Sequence, residues 1–264
     1  MLLNSFLHLS GVSSTLEKYL WNLGILTWDS LESNLPTLRE KMDPSFFPQE
    51  LSEEISRSRM AIRNRDWRFF WDRIPYSEAW RIFGEFPEIF LCLDIETTGI
   101  GYPFVVTCIC IFDGKEVFQF TRTRNLEEFE SFWSDKEDRI ILTYNGFRFD
   151  LPFLKRAIGW APKNKHIDLM HLLHAIGIKG GLKGSEIQLG ISRPEDLKGM
   201  DGNQAVHLWN QYVETDISDY LDLLIKYNQA DTINLYKILE IIYDQKKRKM
   251  EDEIRHLFPV LNFP

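Results

Sequence analysis

The sequence predicts an α/β protein, a mixed sheet flanked by helices and preceded by a small helical N-terminal region. Three observations carry this prediction. Residues 1 to about 88 show helical spacing interrupted by prolines. From about 89 the pattern changes to short apolar strands, two of them joined by a hairpin signal. After a fourth strand, helical periodicity returns and dominates to about 250. The change of pattern divides the chain into residues 1–88 and 89–264.

In the first region Leu16, Tyr19, Leu20 and Leu23 recur at helical spacing, and Gly24 offers a stop. Pro36, Pro44, Pro48 and Pro75 punctuate the rest. The first strand is predicted over 90–96, where Phe90, Leu91, Cys92 and Leu93 form an apolar run. FVVTCICIF (104–112) predicts the second. Asp113-Gly114 is a two-residue hairpin signal that leads into a third strand, Glu116 to Thr121. Residues 125–134 read as a helix, and RIILTY (139–144) as a short buried strand.

At 264 residues and 44% hydrophobic, the chain can fill the core of one large domain or two small ones. A net charge of -8 argues against a protein that coats polyanions, whose affinity comes largely from Lys and Arg. It leaves room for a nuclease, because an acidic site adds negative charge that bound cations cancel. The three cysteines, at 92, 108 and 110, make no paired framework, which predicts reduced thiols in a cytoplasmic compartment. The start, MLLNSFLHLSGVSS, lacks a basic segment and a long apolar one, so no signal peptide is expected. No run approaches the 18 or so apolar residues of a membrane span.

Three segments carry chemistry. In LDIETTG (93–99), Asp94 and Glu96 point to the same side of a strand. Two close anions repel, and burial raises the cost; a divalent cation relieves both. The alternative is a strand that has ended, leaving both acids in water. In YNGFRFDLPFL (144–154) a strand ends at Tyr144, Asn145-Gly146 turns, and Asp150 precedes a helical stretch, as a ligand or as a helix N-cap. In YNQAD (227–231), Tyr227 and Asp231 stand four apart on a strongly periodic helix and share a face. They pair there as chemistry or as a packed ring beside an exposed acid.

Taken in order, these segments resemble the DEDD exonucleases, tyrosine variant. The closer resemblance is to the YprB-like branch of the ribonuclease H-like superfamily. It includes FFWDRIPYSEAWRIFGEF (69–86) and RPEDLKGMDGNQAVHLWNQY (193–212), and covers roughly residues 60 to 245. Asn145 to Asp150 also resembles the matching stretch in proofreading exonuclease domains of B-family DNA polymerases. The resemblance implies a ribonuclease H-like exonuclease domain that hydrolyses phosphodiester bonds from the 3′ end of DNA or RNA, with single-stranded ends the expected substrate, releasing mononucleotides. Two metals about 3.5–4 Å apart can activate the water and stabilise the leaving oxygen. On this pattern Asp94 bridges the metals, Glu96 and Asp231 complete the site of the attacking water, Asp150 supports the second metal, and Tyr227 orients the water. Mg²⁺ suits such an oxygen-rich site, with Mn²⁺ as substitute. Thr97, Thr98, Gly99, Ile100 and Asn145 are the implied walls for the terminal nucleotide.

Two other readings stand beside this one. The first is a nucleic-acid-binding module with little catalysis; the second is a ribonuclease H-type endonuclease. A tyrosine four residues before the last Asp favours the exonuclease. No feature reads a 2′-hydroxyl, so DNA and RNA are not separated.

The flanking pieces admit two roles each. Residues 6–31 resemble a helix-hairpin-helix, in which the amides of a Gly turn meet a phosphate. Ser13 replaces the second glycine of that turn, so phosphate contact and plain packing both stay open. Arg57, Arg59, Arg63, Arg65 and Arg68, close to Trp67, Phe69, Phe70 and Trp71, make either a strand-guiding edge or an amphipathic packing segment. Lys179 and Lys183 line a substrate groove or solvate a loop. Asp168 is a helix N-cap that could reach the site. His166, His171 and His174 lack zinc-ligand spacing.

Overall fold

The computed structural model describes residues 1–43 and 46–257. The chain divides into two compact units, Met1–Pro87 with the chain from Tyr243 onward, and Glu88–Ile242. The sequence pattern alone places the boundary at 88 and leaves the C-terminal stretch with the second unit.

The first unit is helical: α1 (Ser14–Asn22), α2 (Trp28–Lys41), α3 (Leu51–Arg63) and α4 (Trp67–Trp71). Side-chain caps start three of them. Ser13 accepts from the Leu16 amide, Thr27 and Ser30 form a capping box, and Asp66 accepts from Phe69. Tyr19 and Leu23 turn outward, while Leu16, Leu20 and Trp21 are buried, so the apolar stripe of α1 is narrower than its spacing predicts. Pro36 lies inside α2 and does not end it. The lost backbone hydrogen bond is offset by the buried face Trp28, Leu31, Leu35 and Leu38. A buried ion pair, Arg81 Nη1 to Glu17 Oε2 at 2.8 Å, ties α1 to the 3₁₀ segment Tyr76–Gly84.

The second unit holds five strands: β1 (Phe90–Thr97), β2 (Val106–Phe112), β3 (Val117–Thr121), β4 (Ile140–Thr143) and β5 (Lys165–Asp168). They form one mixed sheet in the order β3-β2-β1-β4-β5. β1 is central, antiparallel to β2 and parallel to β4. Six helices follow or interleave: α5 (Glu128–Trp133), α6 (Asp150–Ile158), α7 (Leu169–Ala175), α8 (Gly181–Leu189), α9 (Gly202–Thr215) and α10 (Ser218–Leu257). α10 belongs to this unit through Ile242. Among the described residues, no helix is long and apolar enough to cross a membrane.

Alternation along β1 separates two cores. Leu91, Leu93 and Ile95 pack with Phe129, Trp133, Phe153 and Leu154. On the other face, Cys108 packs with Leu208, Trp209, Leu221, Leu224 and Tyr227. Asp94 and Glu96 pair across the ladder with Cys110 and Cys108, so they share this second face. All three cysteines are free thiols and buried.

Two local readings are corrected. The Asp113-Gly114 connection is longer than a two-residue loop, because the strands end at Phe112 and Val117. Asp113 Oδ1 accepts from the amides of Lys115 and Glu116 and so closes a wider turn. β5, which pairs in parallel with β4, is absent from the sequence reading. Its four residues, KHID, offer one aliphatic side chain and carry no strand signature.

Candidate metal centre

β1 delivers two acids and α10 a third. Ligand atoms of Asp94, Glu96 and Asp231 all lie within 4.8 Å of one another. Asp150 is not part of that group, yet its charge raises the pKa of both Asp94 and Glu96, so it lies close. It opens α6 one residue beyond the N-cap, Phe149, and is buried.

Every one of these carboxyls titrates above its ordinary range. For Asp94 and Glu96 burial is the largest cause, followed by the charge of Asp231. Asp231 is also raised chiefly by burial, with Arg193 and Lys183 pulling it back. Asp150 is pushed up to about 7 by burial, while hydrogen bonds to its own backbone and that of Ile95 oppose the rise. Four acids that resist ionisation together, three of them buried and Asp94 half-buried, all with hard oxygen donors, fit a divalent cation: it would compensate the charge they cannot carry alone.

Tyr227 is buried, one turn before Asp231 on α10. Its phenol is pushed well above the ordinary tyrosine value by burial and the charges of Asp231, Glu96 and Asp94. Its hydroxyl is therefore held in the protonated form. Lys183, in the first turn of α8, donates to the Tyr227 hydroxyl.

Four supporting residues escaped the sequence reading. Asn228 Nδ2 donates to Asp94 Oδ2. Arg193, with a side chain 8% exposed, pairs Nη2 with Asp231 Oδ1. It also grips Glu186 through Nε and Nη2, both at 2.6 Å. Asn234 Nδ2 donates to the same Glu186 at 2.9 Å. For Glu186, Asn228 and Asn234 the sequence signal is polarity at positions that helical periodicity marks as inward; Arg193 lies in the loop after α8, where periodicity says nothing.

Of the implied nucleotide walls, Thr97, Gly99 and Ile100 line a cleft of about 520 Å³ that contains Glu96 and is closed by Phe149 and the start of α9. Thr97 Oγ1 donates to the Gly99 carbonyl and accepts from its amide, which folds the loop back on itself. Gly99 sits at φ +131°, a conformation that side chains rarely take. Ile100 is 83% exposed. Thr98 and Asn145 do not line this cleft; the Thr98 amide is held by the Val105 carbonyl. Asn145, at φ +62°, shapes the turn before α6, and its amide donates to Asp168 Oδ1 at 2.7 Å. Asp168 also accepts from Phe147 and caps α7 through Met170, so it braces this turn and stays out of the acid group. Gly146 is required there, since a Cβ would fall 2.1 Å from Thr143 Oγ1.

The flanking segments show their partners. Glu54 takes both the amide and the hydroxyl of Ser10 in the Gly11 hairpin, so an acid already occupies these donors. Arg57 pairs with Glu53, and Arg59 with Asp29 and Glu32, while Trp67 and Phe70 are core residues.

A family model described as the RNase H superfamily matches residues 91–243. The chain belongs to the ribonuclease H superfamily, and that membership together with the acidic centre supports a nuclease acting on nucleic acid with a divalent metal. No curated protein matches it. Among solved structures, the family B DNA polymerase from the hyperthermophilic archaeon Pyrobaculum calidifontis is similar at 19% identity with a TM-score of 0.45. The match covers 59% of this chain and 24% of the polymerase, so this chain spans about a quarter of that one.

Proposed function

We propose that this chain is a metal-dependent 3′–5′ exonuclease of the tyrosine-variant DEDD type, in the YprB-like branch, acting on single-stranded ends by a two-metal mechanism. One observation carries the proposal: Asp94, Glu96 and Asp231 converge within 4.8 Å, with Tyr227 one helical turn from Asp231.

Asp94, Glu96 and Asp231 would hold one Mg²⁺, and Asp94 with Asp150 a second, Mn²⁺ substituting. When bound, these ions would supply charge to offset the phosphodiester and make a water more acidic. The chain does the rest. Asn228 fixes the Asp94 carboxylate, and Arg193 orients Asp231. Tyr227, kept protonated by its surroundings, offers its hydroxyl to position the nucleophilic water. The Glu96 cleft receives the terminal nucleoside, with Thr97, Gly99 and Ile100 against it.

The test is cleavage of matched DNA and RNA oligonucleotides, labelled at the 5′ end so that shortening from the 3′ end is visible, in Mg²⁺. Stepwise shortening with release of mononucleotides is expected. Internal fragments would establish an endonuclease, and intact strands a binding module.

A further inference from the structure

Glu186 is a buried acid that the proposed chemistry does not use. It sits on α8, outside the group of converging ligand atoms. Burying a carboxylate is costly unless its charge is matched. Arg193 matches it with two bonds of 2.6 Å, Nε to Oε2 and Nη2 to Oε1. Asn234 Nδ2 donates to the same Oε1 at 2.9 Å, and Lys237 Nζ donates to Asn234 Oδ1 at 3.1 Å. The guanidinium is thus held by a carboxylate that is itself held from α10, three residues beyond Asp231.

The second bond of Nη2 gives this arrangement its meaning. The nitrogen that donates to Glu186 Oε1 also pairs with Asp231 Oδ1, so one cation is shared between an acid inside the converging group and an acid outside it. A guanidinium in that place has two effects. It aims the Asp231 carboxylate, and it repels any divalent cation that the carboxylate is to hold. Low exposure strengthens the repulsion: the side chains of Arg193 and Asp231 are 8% and 9% exposed. Arg193 Nη1 is buried with no hydrogen-bond partner, so no further acceptor draws on its charge there. Glu186 is the compensating anion. Together the two side chains carry no net charge, and Arg193 can aim Asp231 without driving a metal away.

We propose that Glu186 sets the metal affinity of the centre through Arg193, by neutralising the guanidinium that positions Asp231. This rests on the metal centre of the exonuclease reading and deepens it. Glu186 is a positioning residue, since it acts through Arg193. The two halves of the pair then have opposite effects. Without Glu186, an uncompensated cation stays on Asp231 and metal binding weakens. Without Arg193, an uncompensated anion stays beside the centre and metal binding tightens, while Asp231 loses its aim and turnover falls. A pair that served packing alone would weaken metal binding whichever half was lost.

The experiment titrates the metal-free full chain with Mn²⁺ and reads the free ion by electron paramagnetic resonance, with no nucleic acid present. Glu186→Gln is expected to raise the Kd by roughly tenfold or more, the effect that one neighbouring charge has on a proton at a carboxylate. Arg193→Gln is expected to lower the Kd by a similar factor. The double variant, again without net charge at the pair, should return close to the wild type. A Kd that rises in both single variants, or moves in neither, overturns the proposal and leaves the exonuclease reading intact. A wild type that binds no Mn²⁺ overturns both. A crystal structure of the wild type with Mn²⁺ tests the same point without any variant: Arg193 should remain on Glu186, and a guanidinium that has left Glu186 overturns the proposal even if the single variants do not fold.

Discussion

Asn228 Nδ2 donates to Asp94 Oδ2 at 2.7 Å, joining the last helix to the central strand across 134 residues. Asn228 is fully buried, and its own Oδ1 accepts from Gln119 Nε2 at 3.1 Å, which fixes the face the amide presents. Its bond is what lowers the pKa of Asp94 against burial and three neighbouring acids. A hydrogen bond to a charged group contributes about 1.5–3 kcal/mol. Asn228→Ala should therefore cut turnover by about tenfold or more, and Asn228→Asp should do worse by adding a fifth acid. Steady-state turnover of the two folded variants checks this; wild-type rates in Asn228→Ala would mean that Asp94 needs no such support.

Asp94→Ala should abolish cleavage and leave the protein folded, since it removes one of the mutually repelling acids, and Asp231→Asn, which keeps an oxygen for the buried Arg193, should do the same. An ion that binds only the folded state stabilises it by about 2.7 kcal/mol at a hundredfold excess over Kd. Mg²⁺ or Mn²⁺ should raise the melting temperature of the wild type, and most of that rise should vanish in Asp94→Ala. Equal shifts in both proteins would assign the stabilisation to surface binding.

Tyr227→Phe keeps the packed ring and loses the hydroxyl that Lys183 reaches. Turnover should fall on the order of tenfold to a thousandfold, the range for a positioned hydrogen-bonding group. The metal-induced thermal shift should survive. A variant with full activity would reduce Tyr227 to a core residue.

Asp150 sets a pH dependence in the metal-free protein. Its pKa is raised from 3.8 to about 7, so the folded chain holds a proton that the unfolded chain releases. Stability contributed by this site is greatest below 3.8 and is lost as pH rises to about 7. The full loss is on the order of a few kcal/mol. His8 and His166, pushed down to about 3 and about 4 by burial, have the opposite sign over part of that range. The decisive quantity is thus the difference between wild type and Asp150→Asn, melted in EDTA from pH 4 to 8. It should move steadily against the wild type as pH rises; a flat difference would mean that Asp150 ionises normally.

Deleting residues 1–55 removes Glu17 and Ser5 and leaves the buried Arg81 without either. Breaking one partner of a buried ion pair costs about 3–5 kcal/mol. The remnant of the first unit should lose its structure, and limited proteolysis should cut it between residues 56 and 87. Protection of that stretch would show that the later helices are stable without α1.

The sequence discloses what depends on period and order. Alternation placed Asp94 and Glu96 on one face, and helical spacing placed Tyr227 beside Asp231, because both rules act within one element. It could not disclose Arg193 with Glu186 and Asp231, since that network joins a loop and two helices. β5 stayed hidden because its burial comes from pairing with β4 rather than from apolar content. The turn of α1 toward solvent at Tyr19 and Leu23 was hidden for a related reason: spacing gives a face, and only packing gives its width.

The two faces of β1 make its ladder register a safeguard on heredity. A slip of one residue would thrust Asp94 and Glu96 among Phe129, Trp133 and Phe153, and turn Leu93 and Ile95 toward the acids of α6 and α10. Such a chain would fail to fold before it could fail to act. A one-residue insertion or deletion before Glu96 should therefore lower the amount of folded protein rather than its activity alone, whereas the ladder already shifts register between Glu96 and Thr97.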